Sequence, residues 1–300
     1  MIVIFRNIEV MNFKYIATIC LTLLLAACRA DYTVPVNPDI IMFSAEEYTL
    51  GVVDSDEWHE IPISATQIVD YDRNIGVEVL WSESSAIEGL HYVVESNTLT
   101  IPKGKLTTAL RIRGIADNIV VGEELTLSLN LVLDEENVSV LYGTRSDVKL
   151  KRCCKFDINN FVGYAKITSN WTMQYMNSDS LLVSTEKGEK ENSIVVKNMF
   201  YEGYDIVVEF DDKDPLEPRV TMADAQVVGA TGEAFGTIYG DGKLLMSEPM
   251  GYTSYFGACE NFMVLYSQMY VENVGTVGTY VTIFEWISDD EAERIMREGF

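Results

Sequence analysis

The side chains in this sequence best suited to binding chemistry are aromatic. Met250-Gly251-Tyr252-Thr253-Ser254-Tyr255-Phe256-Gly257 reads as an exposed aromatic loop bracketed by glycines, and Trp171 with Tyr175 makes a second cluster. Flat sugar faces stack on such rings through apolar contact, so Tyr252, Tyr255, Phe256 and Trp171 are candidate ligand-binding residues. The competing reading places these rings in the core of a tyrosine-rich β-domain. Catalytic spacings are missing: there is no Gly-x-Ser-x-Gly, no His-Glu-x-x-His and no phosphate-cradling Gly-x-x-x-x-Gly-Lys. The two histidines, His59 and His91, have no second imidazole or thiol at ligand spacing and are expected to pack or face water. Two carboxylates about 5–10 Å apart suffice for glycoside cleavage, and the many acids offer such pairs by chance. A carboxylate-based glycosidase is therefore kept as a lesser alternative to a non-enzymatic role. Asp211-Asp212-Lys213-Asp214, just ahead of Pro215 and Pro218, reads as a turn, with Asp211, Asp212 and Asp214 as weak calcium candidates.

The sequence has five cysteines. Cys20 and Cys28 fall in or at the end of an amino-terminal apolar segment, which leaves Cys153, Cys154 and Cys259. Without a Cys-x-x-Cys pair a zinc site is not expected, and no cofactor is implied. An oxidising compartment permits one disulfide among the three. The expectation is a bridge from Cys153 or Cys154 to Cys259, because the first segment of an antiparallel sheet and a late strand can be neighbours. Three reduced, buried thiols are the alternative.

Positioning these groups falls to β-strands. From Ile40 on, short runs of β-branched and aromatic residues alternate with Gly, Asn, Asp and Pro. The pattern predicts strands near 40–43, 48–53, 58–63, 76–81, 97–101, 107–113, 125–133 and 147–150. With no helix between them, they imply an antiparallel sandwich. Leu125, Leu127, Leu129, Leu131 and Leu133 should line its core, and Arg111 and Arg113 a solvated face. After a basic, cysteine-bearing hinge at 149–154, strands are predicted near 161–167, 170–176, 180–185, 193–196, 205–210, 219–222, 226–228, 235–245, 262–271 and 278–286. Tyr239-Gly240-Asp241-Gly242-Lys243 marks a hairpin turn. A helix is expected only at the end. Ser288 caps it with Glu291, Asp290–Arg294 and Glu293–Arg297 pair along it, and Ile295, Met296 and Phe300 form its apolar side. The fold class is thus all-β, an immunoglobulin-like sandwich followed by a second sandwich or barrel-like domain with a short carboxy-terminal helix. The domain boundaries are 1–27 signal segment, 28–39 tether, 40–152 first domain and 153–300 second domain.

The amino-terminal segment has the plan of a secretory signal: Lys14 near Met11, which makes a better start than Met1, then about a dozen apolar residues. That run is short for a bilayer span of about 20 residues. Leu25-Ala26-Ala27-Cys28 resembles the bacterial lipobox, which implies cleavage before Cys28 and acylation of it; an ordinary cleaved signal is the alternative. The formal charge is −24, and since Arg6, Lys14 and Glu9 give residues 1–27 a net +1, residues 28–300 carry −25. Such acidity argues against nucleic acid and against charge-driven docking on anionic lipid.

Within 40–150, Ala86-Ile87-Glu88-Gly89-Leu90-His91-Tyr92, then Thr98-Leu99-Thr100-Ile101-Pro102-Lys103-Gly104, then Gly122-Glu123-Glu124-Leu125-Thr126-Leu127 resemble the Calx-beta-type and related immunoglobulin-like domains of Bacteroidetes surface lipoproteins. The second half is similar in layout to the uncharacterised carboxy-terminal domains of the same proteins. The resemblance implies a seven- or eight-stranded sandwich. It also implies calcium sites in some members, for which Asp117, Glu123 and Glu124 make a poor cage here. Together these readings imply an outer-membrane lipoprotein, anchored through lipid at Cys28, facing the periplasm or the cell surface. It would be a non-catalytic module binding a glycan or a cell-envelope protein. A calcium-stiffened adhesion module is the alternative.

Overall fold

Leu125, Leu127, Leu129 and Leu131 are buried while Thr126 and Asn130 face outward, the period-two pattern that pins a strand to a core. Ser128 is also buried, but its hydroxyl donates to Asp147 Oδ1 at 2.6 Å, so no polar group is stranded. The computed structural model, which describes residues 38–300, makes this strand (β8, Glu124–Val132) the middle of a five-stranded sheet. Its order is β2 (Glu47–Val52), β9 (Arg145–Arg152), β8, β4 (Arg73–Val79) and β6 (Thr98–Ile101). The facing sheet runs β1 (Ile41–Phe43), β3 (His59–Ala65), β7 (Thr107–Gly114), β5 (Tyr92–Val94). Within these sheets β2–β9 is parallel and the other pairs are antiparallel. Between the sheets lie Ile61, Ile63, Ile75, Tyr92, Leu110 and Ile112, all fully buried. Arg111 and Arg113 stand on the outer face, over the Trp58 ring at 5.5 and 5.4 Å and paired with Glu95 and Asp56 at 2.7 and 2.6 Å.

The second half closes on itself. Its strands are β10 (Gly163–Ser169), β11 (Leu181–Lys187), β12 (Ser193–Lys197), β13 (Ile206–Asp211), β14 (Arg219–Met222), β15 (Gln226–Ala230), β16 (Lys243–Ser247), β17 (Ser254–Gly257), β18 (Phe262–Val271) and β19 (Gly275–Ile287). Because β19 pairs with β10 on one side and β18 on the other, the ring β10-β11-β12-β13-β14-β17-β18-β19 is an antiparallel barrel. The β15–β16 hairpin joins the far half of β18. Phe161, Phe210 and Phe256 fill one part of the interior, with centroids 4.8–5.6 Å apart, and Trp171 stands edge-on to Tyr280 at 5.0 Å in another. The sandwich and the barrel thus have separate side-chain cores, while the backbone of Ile40–Phe300 forms one unit.

The all-β expectation holds, with local departures. Residues 170–176, expected as a strand, contain a π-helical turn, Thr172–Met176, stopped by Asn177 at φ 50°. The turn lets Trp171 fold inward, where it is fully buried. The expected strand over 235–245 is instead a short helix (α1, Thr231–Phe235) closed by Gly236 at φ 70°, then the Tyr239–Gly242 turn, then β16. The last helix (α2, Asp289–Glu298) is capped as expected, Ser288 Oγ accepting from the Glu291 amide at 3.3 Å. Ala292 and Ile295 are its buried side, whereas Met296 and Phe300 are exposed. Its ion pairs are Arg294–Glu291 at 3.4 Å and Arg297–Glu298 at 3.6 Å; exposed pairs contribute so little that neighbouring partners compete freely. The signal segment and the acylation expected at Cys28 lie outside the described residues.

Candidate functional site

Strands β17 and β18 pair in antiparallel register, Tyr255 opposite Val264, Phe256 opposite Met263 and Gly257 opposite Phe262. The pleat sends Met263, Leu265 and Met269 into the barrel and leaves Phe262 and Tyr266 on its outer wall. On that wall Tyr252 lies 5.2 Å from Tyr266 with rings tilted by 34°, and Tyr255 meets Phe262 at 6.2 Å and 90°. Tyr252 is 56 % exposed and Tyr255 42 %. Beside them β19 adds Ile283, opposite Val264, and Val281, opposite Tyr266. At the margin Arg219, opposite Tyr255, pairs with Glu217 at 2.6 Å. Two backbone details hold this wall. The Tyr266 amide donates to Ser254 Oγ at 2.9 Å. At Gly257 a Cβ would run into the Phe262 ring, so glycine allows that ring to lie over the neighbouring strand.

Four aromatic residues were candidates for ligand contact, and the structure separates them. Tyr252 and Tyr255 are on the wall. Phe256 is 2 % exposed and packs on Phe156 and Phe210, both at 5.1 Å, because the residue after an outward Tyr255 must point inward. Trp171 is core as well, 4.3 Å from Tyr175 and 5.0 Å from Tyr280. Neither Phe256 nor Trp171 reaches the outer wall beside Tyr252 and Tyr255. Sequence reasoning missed Phe262 and Tyr266. Their even-numbered spacing along 262–270 was the available signal.

The hairpin carrying this wall is tied down covalently. A disulfide joins Cys154, just past β9, to Cys259 in the β17–β18 turn, and Cys153 is a free, half-buried thiol. Burial pushes the Cys153 thiol up, the charge of Asp214 adds to this, and Lys151 opposes it. A thiol held protonated is a poor nucleophile. Around the bridge lies a cleft of 440 Å³ lined by Lys151, Phe156, Leu216 and Phe256 among others.

The acidic candidates are each engaged elsewhere. Glu124 pairs with Lys151 at 2.8 Å, and that hydrogen bond holds its carboxyl below the usual range. Asp117 is 3.8 Å from Arg152. Asp211 and Asp214 accept from the amides of Lys213 and Leu216 at 3.3 and 2.9 Å, turn contacts between β13 and β14, while Asp212 accepts from Asn192 at 3.3 Å. Among the described residues no three His, Cys, Asp or Glu side chains stand together as metal ligands. His91 accepts through Nδ1 from the Ile87 amide at 3.0 Å, and His59 opens β3.

The chain is similar in fold to several solved proteins. The apo-form Calx CBD1 domain matches at 18 % identity and TM-score 0.32, over 38 % of this chain and 97 % of that one. A Bacteroides ovatus protein of unknown function matches at 10 % and 0.36, over 82 % and 90 %. Another Bacteroides ovatus protein, whose carbohydrate binding is itself a proposal, matches at 14 % and 0.31, over 81 % and 67 %. No curated protein matches the chain. The family model described as a domain of unknown function, DUF4984, matches residues 141–298, which take in strand β9 of the sandwich, the whole barrel and the terminal helix and are more than half of the sequence, and the chain belongs to that family.

Proposed function

We propose that this protein is a lipid-anchored lipoprotein of the outer membrane. In this reading it carries no catalytic activity, and the aromatic wall of its barrel binds a glycan. The observation that supports the reading is the exposed Tyr252 ring held against the half-buried Tyr266, with the exposed Tyr255 set edge-on to Phe262 beside them. Rings held at fixed tilt on a strand face offer flat apolar area at small entropic cost, which suits the C–H faces of a sugar chain. An eight-stranded barrel can hold a small ligand inside, but here Phe161, Trp171 and Phe284 fill that space. Binding therefore falls to the outside. The formal charge of −24 disfavours acidic polysaccharides, so the ligand is a neutral glycan.

The test is calorimetric titration of neutral oligosaccharides against the wild type, Tyr252→Ala and Tyr255→Ala. Each substitution is expected to weaken binding by about 3- to 10-fold, the worth of one stacked ring. Affinity unchanged in both variants, or no affinity for any neutral glycan, would overturn the reading.

A further inference from the structure

The two ends of the sandwich differ. At one end the chain leaves for the barrel: the Cys153 amide donates to the Val52 carbonyl at 2.8 Å, and Glu124 pairs with Lys151. At the other end the chain arrives. The Ile40 amide donates to Thr66 Oγ1, and the Thr66 amide to the Ile40 carbonyl, both at 2.9 Å. Loop 66–72 lies at this end, held to 102–106 by the Arg73 guanidinium, which donates to the Gln67 and Lys105 carbonyls at 3.0 and 2.7 Å. The β8–β9 connection lies there too, because β8 runs antiparallel to β4 toward its Arg73 end, with Val132 opposite Gly76 at mid-strand, and the Leu131 amide donates to the Thr144 carbonyl at 2.8 Å.

This arrival end displays Ile68, Tyr71, Leu106, Val140, Leu141 and Tyr142 to solvent, with Val140 wholly exposed and Leu141 80 % exposed. The tip is built to hold them out. Ser139 Oγ accepts from the amides of Leu141 and Tyr142 at 3.2 and 2.9 Å. The Gly143 amide donates to the Ser139 carbonyl at 3.0 Å, and Gly143 turns the chain at φ 67°. Three consecutive apolar side chains thus stand on an ordered, convex tip. Exposed apolar clusters of this kind mark interaction sites, and a convex one suits a soft apolar medium better than a preformed groove. Residues 1–37, which precede the described chain, connect to this same end.

We propose that the arrival end of the sandwich docks on a lipid bilayer, with the Val140-Leu141-Tyr142 tip seated in the interfacial zone. The choice of occupant rests in part on the anchor reading above, since a chain acylated at Cys28 and joined to Ile40 through a short tether brings this end to the membrane. Asp134, Glu135 and Glu136 precede the tip, so anionic headgroups are disfavoured and the surface it fits is zwitterionic. Docking is apolar and holds at high salt.

Because Ile40–Phe300 is one unit, a chain beginning at Pro38 reads docking without any acyl group. In flotation with phosphatidylcholine vesicles this chain is expected to rise with lipid. The variant Val140→Ser/Leu141→Ser/Tyr142→Ser should partition at least about tenfold more weakly, the effect of withdrawing even one buried leucine. Its melting temperature should match the wild type, since the three side chains touch no core. The proposal is overturned if the wild type stays below the lipid at millimolar concentration or the triple variant floats equally. It is also overturned if the tip proves to bury in a concentration-dependent dimer that the variant abolishes. Labelling of the full chain with a palmitate analogue is a separate arm. Label lost in Cys28→Ala supports the anchor, whereas label retained there refutes the anchor and leaves the flotation result standing.

Discussion

The bridge between Cys154 and Cys259 spans 105 residues of sequence, and that loop contains β10 through β17. Chain-entropy arithmetic for a loop of that size gives roughly 16 cal/mol/K, or about 4.8 kcal/mol at room temperature, withheld from the unfolded barrel. Residual structure in the unfolded state and native strain lower the observable value, so about 2–4 kcal/mol is expected. That is a large part of a typical domain stability of about 5–15 kcal/mol. Cys259→Ser is the clean perturbation, because after Cys154→Ser the adjacent Cys153 thiol could reach the same partner. The assay is urea unfolding of the chain beginning at Pro38. Trp58 and Trp81 belong to the sandwich and Trp171 and Trp286 to the barrel. A Trp58→Phe/Trp81→Phe background therefore reports the barrel alone. With a urea slope near 2 kcal/mol/M the midpoint should fall by about 1–2 M, while Cys153→Ser should shift stability by less than about 1 kcal/mol. Counting thiols on the denatured chain should find one. Three free thiols in protein from an oxidising compartment would refute the bridge, and a Cys259→Ser midpoint no lower than that of Cys153→Ser would refute the stability argument.

Gly257→Ala should tilt or displace the Phe262 ring and so weaken glycan binding about as much as Tyr255→Ala, with a packing cost of about 1–3 kcal/mol. Titration calorimetry and urea melts read the two effects, and an alanine variant that binds and melts as the wild type would show that the close approach does not matter. Alkaline pH should unfold the protein. Burial raises the phenols of Tyr92 and Tyr280, helped by the charge of Glu88 in the first and by the hydrogen bond and charge of Tyr175 in the second. A folded pKa above the unfolded one means that stability is complete below about pH 10 and is lost as pH rises beyond it. Tyrosinate absorbance should therefore show a late fraction that appears only with unfolding. Tyr92→Phe/Tyr280→Phe should flatten the loss, and since the Tyr92 hydroxyl has no hydrogen-bond partner, phenylalanine there should cost little. Burial also raises the phenol of Tyr201, so a late fraction no smaller in the double variant than in the wild type would count against this assignment.

Some of this architecture could be read from residue order, and the places where reading stopped share a cause. Leu125 to Leu131 announced their strand and its inward face because polar residues stood between them. Tyr252 and Tyr255 could be taken as exposed because glycines bracket them. Phe256 could not be told from its neighbour, since β17 has only four residues and the pleat becomes visible only once its pairing with β14 and β18 is known. Trp171 sits where a π-turn bends the chain inward, and such turns have no strong propensity signature. The vicinal Cys153 and Cys154 were chemically equivalent in sequence. Which of them faces Cys259 depends on how the chain leaves β9, and the alternation of that short exit places Cys154 at the bridge.

The aromatic wall was half hidden for the same reason. In Phe262-Met263-Val264-Leu265-Tyr266 both faces are apolar, a pattern that reads as a strand buried on two sides. What separates Leu265 from Tyr266 is not their hydrophobicity but the closure of the barrel. The closure turns on β19, whose 13 residues span from β10 to β18. Strand length hints at that double role, but the pairing is non-local and no local propensity encodes it. Once β19 closes the ring, one face of β18 has an interior to fill and the other has none. A Phe262 and a Tyr266 left on the face without an interior are then surplus to folding, and that surplus is why this face, rather than the richer aromatic cluster around Trp171, is the one available to a ligand.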